Sequence, residues 1–182
     1  LIEKGEGDSI RLVFIGDGNQ KDRLVERKAN EQLNNCIFLE PVAKTKLISF
    51  LHAADLGLMI LDNVPAFYYG TSPNKFFDYI ATGLPVLTNY PGWLAEMIKQ
   101  HDCGITVKPQ NPNLFAEQLI GLSREREKLS VMSNNARNLA ETKLFGNNAT
   151  YIFSDLNEVN SKQFDDATGG ATGGATGGIV GG

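Results

Sequence analysis

The stretch Gly70–Val86, GTSPNKFFDYIATGLPV, brings an amide, an ammonium and a carboxylate together at helical spacing, as Asn74, Lys75 and Asp78. Ser72 suits a helix N-cap, and Pro73 suits the first helical position, where a missing N–H goes unnoticed. Phe76, Phe77, Ile80 and Ala81 recur as a buried helical face would, and Gly83 and Pro85 stop the helix. Asn74, Lys75 and Asp78 then lie on a different, polar face. The first turn of a helix offers free N–H groups and the positive end of the dipole, a setting for phosphate. Gly70, Thr71 and Ser72 lead into that turn, Lys75 adds a cation beside it, and Asp78 adds a carboxylate about one turn on. The plainer reading is an N-cap, a solvated face and a Lys75–Asp78 pair at i,i+3 worth about 0.3 kcal/mol. The preceding loop tips the balance toward a ligand. It is long, it carries Phe67, Tyr68, Tyr69 and Gly70, and long loops in compact domains are usually functional.

The elements that must hold this segment are legible from short apolar runs. Strands are expected at Ile10–Ile15, Cys36–Leu39, Leu56–Leu61, Pro85–Thr88 and Gly104–Val107. Helices are expected over Asn19–Gln32, Ala43–Ala54, the segment beginning near Pro73, Gly92–Gln100, Pro112–Ser123, Arg124–Thr142 and Asn148–Val159. The alternation, with strands apolar throughout, predicts an α/β fold: a Rossmann-like parallel sheet with helices on both faces. Ligands of such sheets bind beyond the carboxyl ends of the strands. Three loops leave those ends: Gly16-Asp17-Gly18, Glu40-Pro41-Val42 and Asp62–Ser72. Taken alone, the glycine turn is as readily structural as functional.

Composition narrows the field. The chain has 182 residues, a hydrophobic fraction of 42% and a net charge of −4, which suits a globular domain with no preference for nucleic acid or an anionic membrane. No apolar run approaches the roughly 20 residues that span a bilayer, and no signal peptide opens the chain. Cys36 and Cys103 form no C-x-x-C pair and read as two buried, reduced thiols of a cytoplasmic protein. His52 and His101 lack a partner at ligand spacing, so no metal is expected. The opening LIEKGEGD reads as the end of a helix and a loop. The far end holds three Ala-Thr-Gly-Gly units, at 167–170, 171–174 and 175–178, and reads as a flexible linker or scar, so the domain is expected over 1–162 and a tail over 163–182.

At GTSPNKFFDYIATGLPV the chain resembles the donor-binding domain of the retaining GT-B glycosyltransferases called group 1 or family four. LVFIGDGNQKDRL resembles their strand, glycine turn and helix start, CIFLEPVAKTKLISFLHAADLGLMIL the strand, helix and strand that follow, and GITVKPQNPNLFAEQLIGL the late strand and helix. The resemblance implies half of a two-domain enzyme. The N-terminal acceptor domain and the first strand of this domain would lie outside the chain, leaving it inactive alone. It implies a nucleoside diphosphate sugar as substrate, with UDP-sugars favoured, and no cofactor. The family's paired glutamates fall on Gly70 and Asp78. Asp78 keeps a carboxylate, implied to bond the ribose, whereas Gly70 departs from the pattern. The donor sugar and diphosphate are then expected at Gly16, Gly18, Gly70, Thr71, Ser72, Asn74 and Lys75, and the nucleoside at Pro41, Val42 and Asp78. The implied setting is bacterial surface polysaccharide, O-antigen or capsule, made at the cytoplasmic face, with any membrane contact through the other domain.

Three alternatives share the pattern. A phosphoacceptor receiver domain would use Asp62, Thr88 and Lys108 after successive strands, but it wants paired acids where Asp17 stands between glycines, and the helical chain runs on too far. A nucleotide-sugar 2-epimerase has the same architecture but needs acids and a histidine that are not evident here. A nucleotide-sugar module without catalysis also fits.

Overall fold

The computed structural model describes residues 1–62, 68, 74–143 and 176–181. A 3-10 turn at Ile2–Lys4 precedes the strands β1 (Arg11–Ile15), β2 (Cys36–Leu39), β3 (Leu56–Ile60), β4 (Val86–Thr88), β5 (Gly104–Thr106) and β6 (Thr176–Gly181). The helices of more than one turn are α1 (Lys21–Asn30), α2 (Lys44–Ala53), α3 (Asn74–Ala81), α4 (Trp93–Gln100), α5 (Pro112–Arg124) and α6 (Arg126–Lys143). Each expected element within the described residues is present, with ends shifted by up to a few residues; the helix expected at 148–159 lies outside them.

The sheet order is β2-β1-β6-β3-β4-β5. The pairs β1–β2, β3–β4 and β4–β5 are parallel, as the apolar runs imply. Strand β6 is the exception. It runs antiparallel between β1 and β3, with Leu12 opposite Val180 and Gly57 opposite Ile179. This corrects the reading of 163–182 as tail for the part that the structure describes, Thr176–Gly181. The physical reason is backbone satisfaction. Strands β1 and β3 face one another across one strand's width, and their inward N–H and C=O groups must be bonded once buried. A segment rich in glycine can meet that demand as backbone alone.

Two apolar clusters lie on opposite faces of the sheet. One gathers Leu51, Met59, Phe76, Phe77, Tyr79, Ile80, Val86, Leu94 and Ile98 beneath α2, α3 and α4. The other gathers Ile10, Leu56, Leu58, Leu87, Leu119 and Leu122 beneath α5. Helix α6 reaches both, with Leu129 and Met132 in the second cluster and Ala136, Leu139 and Ala140 in the first. Caps follow the sequence: Asn111 Oδ1 accepts the Leu114 N–H at 2.9 Å, and Pro112 takes the first turn of α5. Helix α3 is pressed onto β3 at Gly57, where a methyl group would stand 2.5 Å from the Tyr79 ring, and the Tyr79 hydroxyl donates to the Leu58 carbonyl at 3.3 Å. Tyr79 is therefore core, although the apolar face expected of this helix did not include it.

Candidate functional site

Three segments converge at the carboxyl ends of the strands. At the end of β1, Gly16 adopts φ 136°, a conformation in which a side chain would be strained, and its N–H donates to the Leu39 carbonyl at 3.2 Å. The Gly18 N–H donates to Asp17 Oδ1 at 2.9 Å, closing the turn on itself. Lys21 and Glu40 pair at 2.8 Å, which ties the loop after β1 to the loop after β2. The Glu40 carboxylate pushes the Lys21 ammonium up from its ordinary range. Pro41 is exposed and Val42 half-buried in that second loop.

The third segment is α3. Its apolar residues Phe76, Phe77 and Ile80 are buried, and Ala81 is half-buried. Its polar residues stay accessible: Asn74 is exposed, while Lys75 and Asp78 are half-buried. Burial pushes the Lys75 ammonium down from the usual lysine range. Asp78 Oδ1 is paired with Lys44 Nζ at 3.1 Å. The Lys75–Asp78 pair at i,i+3 thus gives way to a contact between helices, from the first residue of α2 to the second turn of α3. Neither Lys44 nor Lys21 stood out in the sequence. Each opens a helix after a strand, and that position is the signal that could have found them. Gly70, Thr71 and Ser72 lie outside the described residues, as do Phe67 and Tyr69. Tyr68 is buried and stacks on Tyr90 at 6.2 Å between ring centroids.

A cavity of about 250 Å³ runs between α2 and α3, with Lys44 and Asp78 among its lining and Leu47, Ile48, Leu51 and Ala81 as its apolar walls. A second, about 280 Å³, lies at the amino-terminal ends of β1 and β3 among Ile10, Leu56, Leu119 and Leu129, edged by Arg126 paired with Asp55 and by Arg124 paired with Glu6. It is on the wrong edge of the sheet to join the three loops. The first cavity meets the candidate site at the Lys44–Asp78 pair; Lys75 on α3 and the two loops fastened by Lys21 and Glu40 complete the set. Such a set suits a polar ligand held by a few placed charged groups beside an apolar wall.

The receiver-type constellation is not supported. Asp62 and Lys108 are exposed, but Thr88 is wholly buried and its hydroxyl has no hydrogen-bond partner among the described residues, so it offers no accessible switch hydroxyl. The thiols are both free; Cys103 is buried as expected, whereas Cys36 is only half-buried. Among the described residues, no cluster of His, Cys, Asp or Glu is placed to hold a metal, and no helix is long and apolar enough to cross a membrane.

Residues 1–139 match the family model described as "Glycosyl transferases group 1". No curated protein matches the chain. Among solved structures, one similar fold is WaaG, "a glycosyltransferase involved in lipopolysaccharide biosynthesis", with a TM-score of 0.57 at 21% identity. Another is HepE of Anabaena (Alr3699), solved in complex with UDP-glucose, with a TM-score of 0.57 at 18% identity. The alignments cover 87% and 85% of this chain but only 38% and 39% of those proteins.

Proposed function

This chain belongs to the group 1 glycosyl transferases, and we propose that it is the donor-binding domain, over residues 1–162 with β6 completing its sheet, of a two-domain retaining enzyme that moves a hexosyl group from a nucleoside diphosphate sugar to a polysaccharide or lipid-linked acceptor. The observation that supports this most is the pairing of Asp78 on α3 with Lys44, which opens α2 directly after the loop that Lys21 and Glu40 fasten. Asp78, with Pro41 and Val42, is assigned to the nucleoside, its carboxylate accepting from the ribose hydroxyls. Thr71, Ser72, Asn74 and the N–H groups that open the helix are assigned, with Gly16, Gly18 and Gly70, to the sugar and diphosphate, together with Lys75.

The chemistry follows from these roles. When the bond from the anomeric carbon to the diphosphate oxygen breaks, charge grows on the departing phosphate. Fixed N–H donors and a cation there stabilise the transition state more than the ground state. Lys75 is desolvated before the ligand arrives; a phosphate beside it restores the preference for the charged ammonium. Nothing in the site resembles a pair of carboxylates set for glycoside hydrolysis. WaaG's part in lipopolysaccharide synthesis and the UDP-glucose held by HepE support the surface-polysaccharide setting and favour a UDP-sugar. The acceptor and any membrane contact belong to the partner domain, and the enzyme works at the cytoplasmic face of the membrane.

The test is calorimetry on the two-domain enzyme. Asp78→Ala is expected to weaken donor binding by about 1–3 kcal/mol, the worth of a lost hydrogen bond to a carboxylate. Lys75→Ala is expected to weaken the nucleoside diphosphate more than the free nucleoside. Unchanged donor affinity in Asp78→Ala, or equal losses for both ligands in Lys75→Ala, would remove that residue from the site.

A further inference from the structure

We propose that Lys44 is a positioning residue of the nucleoside pocket: it holds one oxygen of Asp78 so that the other is left, already oriented, for the ribose diol. The proposal rests on the assignment of Asp78 to the ribose. Three observations carry it. Lys44 Nζ meets Asp78 Oδ1 at 3.1 Å, and no partner for Oδ2 is found among the described residues. The pair spans two helices, so it reports on how α2 and α3 sit across the cavity between them and not on one helix's own geometry. Finally, Lys44 follows directly on the Glu40–Ala43 loop that carries Pro41 and Val42, so the carboxylate and the loop assigned to the base share one anchor.

The stability of the fold does not explain the contact. The Lys44 side chain is 76% exposed and that of Asp78 35%, and pairs this accessible contribute little to folding. An ion pair can still restrict a short carboxylate to one rotamer, and a group ordered before the ligand arrives is not charged for that ordering on binding. The ordinary lysine tail makes this a loose tether, so the expected effect is modest, about threefold in affinity. It is directed at the ribose alone.

The discriminating experiment is ligand-observed NMR titration of the two-domain enzyme with UDP, GDP and ADP, each against its 2′,3′-dideoxy form. In the unaltered enzyme the ribonucleotide is expected to bind about tenfold more tightly than the dideoxy form. Asp78→Ala should bring that ratio near one. Lys44→Gln should lower it about threefold, Lys44→Arg should restore it, and Lys44→Gln in the Asp78→Ala background should change nothing further. Equal weakening of both nucleotide forms by Lys44→Gln would make Lys44 a phosphate contact and overturn the positioning role. A full ratio in Lys44→Gln, with Asp78→Ala still deficient, would refute this inference while leaving the ribose assignment standing. Absence of binding by the unaltered enzyme, or a ratio indifferent to Asp78, would sink both.

Discussion

The packing of Gly57 against Tyr79 makes a quantitative prediction about how α3 is held. A Cβ on Gly57 would stand 2.5 Å from Tyr79 Cδ2 and 2.8 Å from Cε2 and Cγ. Carbon atoms rest at about 3.5–4.0 Å, so the ring must retreat by roughly 1 Å. Tyr79 is only 5% exposed and is bonded through its hydroxyl to the Leu58 carbonyl, so it cannot swing into solvent. Overpacking of this kind costs about 1–3 kcal/mol. Against it, replacing glycine with alanine in a strand returns about 0.5–1 kcal/mol by restricting the unfolded chain. Gly57 is not held at a positive φ, so no backbone strain enters. The clash wins, and Gly57→Ala is expected to lose about 1–2 kcal/mol in urea unfolding followed by far-UV circular dichroism. Tyr79→Ala loses more, about 3–4 kcal/mol, as a buried aromatic does. In the double variant the new methyl no longer meets a ring and fills part of the void. The two losses should therefore fall short of additivity by at least 1 kcal/mol. Additive losses, or a Gly57→Ala variant as stable as the parent, would show that α3 is not seated on β3 through this contact.

Two further outcomes are expected. Asn89 accepts from the Leu61 N–H and donates to the Leu61 carbonyl, both at 2.8 Å; Asn89→Ala should cost about 2 kcal/mol and speed hydrogen exchange at the Leu61 amide, and unchanged exchange there would refute a role in fastening the chain after β3. Burial pushes the Cys103 thiol from 9.0 up to about 11. The folded chain therefore holds that proton more tightly than the unfolded chain. The associated stability is complete below pH 9 and is lost as pH rises toward 11, a loss of about 1 to 3 kcal/mol. Cys103→Ala should flatten the alkaline limb of the stability curve, and iodoacetamide near pH 8 should label half-buried Cys36 first.

Most of the architecture was legible because each parallel strand is a short apolar run bounded by glycine, proline or an acid. The run GLM in β3 and VLT in β4 are buried, as a strand covered on both faces must be. The apolar stripe of α3 was equally plain, since Phe76, Phe77 and Ile80 obey the helical period. The misses share a cause: they are contacts between elements far apart in sequence. Tyr79 lies next to Asp78 and off the strict stripe, so its burial depends on the hole that Gly57 leaves. The partner of Asp78 is Lys44 on another helix, where local spacing pointed to Lys75. The place of β6 follows from an unfilled line of backbone groups, which side-chain patterning does not encode.

The antiparallel insertion of β6 also bears on how the chain folds. Its register partners, Leu12 with Val180, come from opposite ends of the sequence. The middle of the sheet therefore closes only through pairing between segments far apart in the sequence. Such non-local pairing slows the search for the native state. During translation the facing edges of β1 and β3 wait, unzipped, as ready templates for any stray strand. A nascent chain of this design depends on dilution or on chaperones until β6 leaves the ribosome.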